Sequence, residues 1–300
     1  MSPPGCVVLD QRGIVRLTGP DARGLLQGLI SNDVDSLTPS RAVYAALLTP
    51  QGKYLFDFLL SQGSDEILLD TETARAAALI QRLSMYRLRA QVAIENAGDT
   101  LAVLAVFGEG TVERLGLAAE AGMARTEGNA LLAVDPRLAD LGVRVVLPIG
   151  EVDAFMVAHG LAPAPFAAYD RHRLALGVPD GTRDLIVEKS LLLESGFEEL
   201  NGVSFTKGCF VGQELTARTK HRALVKKRLV PVRVTGALPE PGTPVTRGGR
   251  DAGDLRSGVD GIALALLRLE QLATTLTAPL MAGEAQLEPA PPAWLRIQPG

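Results

Sequence analysis

The chain has 300 residues, of which 47% are hydrophobic and 21% charged, with a formal net charge of -4. That mix excludes a disordered chain, and the acidic balance argues against a surface built as a whole to grip nucleic acid. At about 150 residues per domain, the length predicts two domains or a few smaller ones. The opening Met1-Ser2-Pro3-Pro4-Gly5-Cys6 has no basic region ahead of an apolar core, so the expected address is the cytoplasm. The apolar runs from Leu101 to Phe107 and from Ile262 to Leu267 stop well short of the roughly 18 residues a membrane helix needs, and no membrane association is expected. Cys6 and Cys209 are the only cysteines, too few for a four-thiolate metal centre or a disulfide framework, and no resident metal is expected.

In chain order, strands are predicted at Cys6 to Leu9 and Gly13 to Leu17, then an amphipathic helix with Leu25, Leu26, Leu29 and Ile30 on one face. β-favouring residues from Arg41 to Leu60 flank Thr49-Pro50-Gln51-Gly52-Lys53, which reads as a hairpin with Asp57 on its return strand. A strand at Glu66 to Leu69, a helix from Thr71 through Arg87 and a strand at Ala90 to Glu95 follow. An α/β module is predicted from about 100 to 165. It comprises Leu101 to Phe107, a helix from Gly110 to Ala119, strands at Ala130 to Val134 and Val143 to Leu147, and a helix from Glu151 to His159, with Pro163-Ala164-Pro165 as a junction. After a helix at Phe166 to Leu176, an irregular approach leads from Gly177 to Gly202. From Lys226 onward, alternating strands with Pro-Gly and Gly-Gly turns mark a small β-rich domain over 226–300, its proline-rich segment from Glu288 to Pro292 read as a surface strap.

Lys207-Gly208-Cys209-Phe210-Val211-Gly212-Gln213-Glu214 is the segment that carries chemistry. The two glycines permit positive φ or close approach of another backbone or a ligand. With a helix starting near Gly212, and with Lys207 close by, Cys209 is read as a functional thiol. The alternative is a small buried hydrophobe, the ordinary fate of a free cysteine. The histidines, His159, His172 and His221, show no triad spacing for a cysteine hydrolase.

The octapeptide and its continuation Leu215-Thr216-Ala217-Arg218-Thr219 resemble the motif of YgfZ-like proteins, a branch of the glycine-cleavage T-protein superfamily. Leu25 to Val34, Tyr44 to Phe58, Tyr86-Arg87-Leu88-Arg89 and Arg173 to Pro179 agree in the same order, and Gly253 to Ser257 extends the match. The resemblance implies an α+β fold. Its expected form is a three-subdomain T-protein-like ring around a central folate channel, with a ferredoxin-like α/β module and a C-terminal β-barrel, the folate-binding region covering 1–225. It also implies a tetrahydrofolate-binding accessory factor for assembly or repair of iron–sulfur enzymes, tRNA-modifying clients among them.

Carried over residue by residue, the resemblance assigns Cys209 and Lys207 to the reactive centre. Asp57, Tyr44, Asn32, Gly208, Gly212, Gln213, Glu214 and Arg218 fall to tetrahydrofolate or a one-carbon derivative. Asp57 matches the pterin anchor, where a carboxylate accepts paired hydrogen bonds from the amino group and ring N–H. The sequence departs from the aminomethyltransferases in two places and from the YgfZ-like motif in a third. Phe56-Asp57 stands for two adjacent aspartates, Arg144 for the last glutamate of a Gly-Tyr-x-Gly-Glu-x-Gly-Phe-Glu stretch, and Phe210 for a tyrosine. The first two argue against glycine cleavage. The basic run Arg218, Lys220, Arg222, Lys226, Lys227 and Arg228, with His221 inside it, is read as a solvated face or as a dock for the folate glutamate tail. Its few aromatics argue against nucleic-acid stacking. A folate-dependent transferase and a non-enzymatic scaffold are the alternative functions.

Overall fold

The structure is a computed structural model that describes residues 4–221, 225–272 and 278–297. The chain divides into two units. The first comprises the described residues of Met1–Leu48, Leu55–Tyr169 and Leu200–Val211, and the second those of Thr49–Tyr54, Asp170–Glu199 and Gly212–Gly300.

The first unit is built on two sheets. Strands β1 (Gly5–Val8) and β2 (Arg12–Thr18) lead into helix α1 (Ala22–Leu29), then β3 (Val43–Leu48), β4 (Tyr54–Gln62), β5 (Glu66–Glu72), helix α2 (Ala76–Arg87), β6 (Ala93–Asn96) and β7 (Leu101–Phe107). A single turn of helix, α3 (Thr111–Arg114), precedes β8 (Ala124–Glu127), β9 (Ala130–Val134), β10 (Val143–Pro148), helix α4 (Val152–Ala158) and the short β11 (Ala162–Pro163). One sheet has the order β3-β4-β5-β2-β6 and the other β11-β1-β7-β10-β9-β8.

β1 and β2 are neighbours in the chain, yet β1 pairs with β7, Gly5 opposite Phe107 through Val8 opposite Leu104, and with β11. Its alternation explains why. Cys6 faces one apolar cluster with Leu104, Val106, Val145 and Phe155, whereas Val7 faces a second with Ile14, Val103 and Tyr169. A strand apolar on both faces belongs inside a sheet. The six-stranded sheet is therefore not confined to residues 100–165.

Three expected elements are shorter or shifted. The helix expected from Gly110 to Ala119 is one turn, because Gly110 and Gly116 both take positive φ and punctuate it. The helix expected from Thr71 begins at Ala76, since β5 continues to Glu72. The strand expected from Ala90 begins at Ala93, and β8 went unpredicted.

In the second unit, helix α5 (Phe166–Ala175, from Asp170 onward), α6 (Gly181–Asp184) and α7 (Gln213–His221) precede β12 (Lys227–Thr235), β13 (Pro244–Arg247), β14 (Arg250–Val259), β15 (Ile262–Arg268), β16 (Leu280–Ala282) and β17 (Ala285–Pro289). The six strands close as a barrel in the order β12-β15-β14-β13-β16-β17. Ala263, Ala265 and Leu267 point inward with Val232, Leu255 and Leu287, while Leu264 packs outward on Leu174 and Leu229. Gly253 is required by close approach: at φ +144° a Cβ would lie 1.9 Å from the Leu266 carbonyl oxygen. The expected surface strap is partly a barrel strand, with Glu288 opposite Arg233 and Pro289 opposite Val232. No helix among the described residues is long and apolar enough to cross a membrane.

Candidate functional site

In the first unit the cysteine loop is fastened to the end of α1. That helix buries Ala22, Leu26 and Leu29, and its last turn leaves backbone carbonyls without intrahelical partners. Lys207 supplies them. Its Nζ donates to the carbonyl oxygens of Gln27 (2.8 Å), Ile30 (2.8 Å) and Asn32 (2.7 Å). A cation at a helix C-terminus also meets the negative end of the macrodipole. Burial pulls the Lys207 ammonium down to about 8, against the upward pull of Asp33 and Asp35, so at neutral pH it is still charged. Its Nζ lies 5.2 Å from the centroid of the Phe210 ring.

Further bonds stitch the loop down. Ser31 Oγ donates to the Gly202 carbonyl (2.6 Å), Asn32 Nδ2 to those of Asn201 (2.6 Å) and Tyr44 (2.8 Å), and the Ser204 amide to that of Ser31 (3.0 Å). Between buried Lys207 and buried Phe210, Cys209 is exposed, so it is not a core residue. All three Lys207 donors are spent on carbonyls, which makes Lys207 the positioning residue of this loop. Gly208 has no positive φ, and a Cβ there would meet no protein atom within 4 Å, so neither a left-handed backbone nor close approach of another backbone requires glycine at this position.

The same unit buries a polar cluster under the β3/β4 hairpin. Tyr44 and Asp57 are both sealed from solvent, and Tyr44 Oη donates to Asp57 Oδ2 at 3.1 Å. Burial first, and then the Asp57 charge, push the Tyr44 hydroxyl well above its ordinary pKa, so it stays a donor. Asp57 is thus no water-facing strand aspartate. The Arg137 guanidinium lies 5.7 Å from the Tyr44 ring centroid and grips Asp135 through Nε (2.9 Å) and Nη2 (2.8 Å). Burial works against the Asp135 charge, but Arg137 and Arg144 outweigh it and hold the carboxyl below its usual range. Arg12 Nε donates to Asp70 Oδ1 at 2.6 Å.

Arg144 completes the cluster incompletely. Its Nη2 donates to Asp135 Oδ2 (3.4 Å) and to Tyr169 Oη (3.2 Å). Its Nε stands 3.5 Å from Asp70 Oδ2, and Nε, Nη1 and Asp70 Oδ2 are all buried with no hydrogen bond. Arg12, Asp70, Asp135 and Arg137 were absent from the sequence-based site. The signal of Arg12 and Asp70 is a charge set among buried residues on the strands Arg12–Thr18 and Glu66–Glu72, whereas Asp135 and Arg137 lie beyond the end of β9 and carry no such pattern.

The remaining predicted residues belong to the second unit. Gly212 takes φ +84°, as expected of it, and its carbonyl accepts from Thr216 Oγ1 (3.2 Å) at the start of α7. Gln213 is half-buried, and Glu214 and Arg218 are exposed. The basic run is not one face. Lys220 pairs with Glu198 (2.7 Å) and Lys226 is exposed, whereas buried Arg228 donates to the Leu193 carbonyl and pairs with Glu199, each at 2.5 Å. Arg222 lies outside the described residues.

Residues 6–125 match the GCVT N-terminal domain, and residues 226–297 match the CAF17 C-terminal beta-barrel domain. Iron–sulfur cluster assembly factor IBA57, mitochondrial, from Mus musculus is 37% identical over 289 residues, spanning 89% of this chain and 78% of the relative. The protein of the same name from Homo sapiens is 37% identical over 285 residues, with the same coverage. The chain belongs to the IBA57 family. The IBA57 homologue of Mycosarcoma maydis is 32% identical, over 88% of this chain and 73% of its own. The fold is that of the T-protein: aminomethyltransferase T of the glycine cleavage system from Bartonella henselae superposes with a TM-score of 0.78 at 15% identity, covering 99% of this chain and 88% of that one. Family membership agrees with the YgfZ-like reading of the cysteine motif.

Proposed function

We propose that this protein is an iron–sulfur cluster assembly factor that binds tetrahydrofolate or a one-carbon derivative beside Asp57 and acts through the thiol of Cys209. The observation that carries the reading is the contrast between the two cysteines of a chain whose mouse and human relatives bear that name. Burial pushes the Cys6 thiol up to about 12 and locks it in the core, whereas Cys209 is exposed on a loop that Lys207 and Ser31 hold in place. A thiol so presented meets an iron–sulfur cluster as cargo, and a cluster that met it would draw its other ligands from a client enzyme or an assembly protein.

The donor set of the first unit fits a pterin. Asp57 offers a carboxylate to amino and ring N–H groups, Tyr44 fixes that carboxylate, and Arg144 Nη1 is a buried donor without a partner that suits a ring carbonyl. These residues would hold the folate, whose chemistry when bound is to carry a one-carbon unit. An arginine where the aminomethyltransferases keep an acid supports an accessory role over aminomethyl transfer.

Complementation tests the reading. In cells lacking the protein, iron–sulfur enzyme activity, including that of tRNA-modifying clients, should fall and be restored by the wild-type chain but not by Cys209→Ser. Full restoration by Cys209→Ser would refute the thiol role.

A further inference from the structure

Helix α2 buries Ala76, Leu79 and Leu83, yet its outer end is not polar. Met85 is 64% exposed and Leu88 is 88% exposed. The chain closes there in a tight turn, the Ala90 amide donating to the Arg87 carbonyl at 2.7 Å, with Leu88 at φ 45°, ψ -107°. That is the first central position of a type II′ turn, where glycine is favoured because a Cβ is strained. Nothing in the fold compensates this strain by burying the leucine. Strain of this kind is kept where a site uses it.

The segment's own charge is one-sided, although the Asp21 carboxylate accepts from the Gln91 amide (2.7 Å) just beyond the turn. From Thr73 to Ile94 the chain has no Asp or Glu but carries Arg75, Arg82, Arg87 and Arg89, in a molecule of net charge -4. Arg75 is engaged on the Leu55 carbonyl (2.6 Å) and over the Phe56 ring, and Arg87 Nη1 reaches the Val92 carbonyl (3.2 Å). Among the described residues no carboxylate pairs with Arg82, Arg87 or Arg89. Neither the folate nor the thiol reading uses the Tyr86-Arg87-Leu88-Arg89 segment.

We infer that the tip of α2 is a docking point for a partner protein that offers an apolar pocket to Met85 and Leu88 within a rim of Asp and Glu side chains. Met85 on the last turn of α2 and Leu88 on the closed turn beyond it are sized and preorganised for a pocket, and guanidinium groups that pair with no carboxylate supply the complementary charge. Insertion into a membrane surface would call for a broad apolar face, whereas Ala76, Leu79 and Leu83 are committed to the core. The inference stands apart from the folate and thiol readings.

A photo-crosslinking amino acid placed at position 88 in cells, with position 157 as an equally bare control (Val157 is 82% exposed), would identify the partner. The purified partner is then titrated with wild-type protein, Leu88→Gly and the double variant Arg82→Glu/Arg89→Glu at low and high salt. The expected result is one protein adduct from position 88 and none from position 157. Leu88→Gly should bind at least about 10-fold more weakly, although its melting temperature rises by about 2–4 °C as the strain is relieved. The double variant should lose more affinity at low than at high salt. The inference is overturned by absence of an adduct, by wild-type affinity in Leu88→Gly, or by a lowered melting temperature in that variant. It is equally overturned if the protein sediments with phosphatidylcholine–phosphatidylglycerol vesicles in a Leu88-dependent manner.

Discussion

Each unit buries an arginine among aspartates, but the two arginines are satisfied to different degrees. In the second unit Arg173 donates through Nε to Asp170 (2.6 Å), through Nη1 to Asp184 (2.6 Å) and the Val178 carbonyl (3.1 Å), and through Nη2 to Ser257 Oγ (2.7 Å). Asp184 in turn takes the Ser257 amide (3.1 Å) and hydroxyl (2.6 Å), joining the end of α6 to barrel strand β14. In the first unit Arg144 keeps long contacts through Nη2 and leaves Nε and Nη1 without hydrogen bonds. Every guanidinium nitrogen of Arg173 has a partner, and a network so engaged acts as a structural fastener. An orphaned buried donor lowers the stability of the ligand-free fold and marks where an acceptor belongs. Two similar sets of residues thus differ in the work assigned to them, a structural fastener in the second unit and, on the proposed reading, a ligand site in the first.

The comparison breaks first at Arg173. Arg173→Met takes the cation from buried Asp184, while Asp170 keeps Arg183 through both oxygens (2.7 and 2.8 Å), and should cost about 3–5 kcal/mol, read as a lowered urea midpoint; a cost below about 1 kcal/mol would mean that the network is not the fastener described. Lys207→Met removes three charge-assisted bonds at the end of α1 and should cost about 2 kcal/mol. Amide exchange should quicken at Ser204, whose N–H depends on the loop being pinned to Ser31. Arg144→Met should cost less, about 1–2 kcal/mol, because Asp135 keeps Arg137 and Asp70 keeps Arg12. If Arg144→Met proves as damaging as Arg173→Met, the contrast fails.

The smallest effect is on acid stability. Burial raises the Asp170 carboxyl, but hydrogen bonds and charge from Arg183 and Arg173 outweigh it and hold the group low, as Arg137 does for Asp135. The unfolded chain therefore binds more protons than the fold below the unfolded carboxyl value of about 3.9. Stability should be level from neutral pH down to about 4 and fall as the pH drops further toward the depressed folded values. Circular dichroism at stepped pH checks this, and Arg173→Met should begin its decline at higher pH than the wild type.

Much of the strand order is local in the sequence. The β3/β4 hairpin, the barrel strand Pro244–Arg247 and the helix after Gly212 are written in alternation and in glycine and proline placement. What local pattern does not carry is partnership. β1 reads the same whether it joins β2 or β7, because only the two apolar clusters it separates decide the matter. The site shows the same division. Asp57 and Cys209 stood out through the motif and the hairpin, whereas Arg12, Asp70, Asp135 and Arg137 meet only after residues far apart in the chain are folded together. Lys207 was legible as a charge beside a thiol, but its work on the carbonyls of Gln27, Ile30 and Asn32 lies about 180 residues upstream.

The most direct test of the account is an anaerobic calorimetric titration with tetrahydrofolate of the wild-type protein, Asp57→Asn, Arg144→Met and Arg173→Lys. The account predicts saturable binding by the wild type, at least about 10-fold weaker binding by Asp57→Asn and Arg144→Met through loss of charge-assisted bonds, and unchanged affinity in folded Arg173→Lys. Absence of saturable binding by the wild type, or equal affinity in Asp57→Asn, would contradict it.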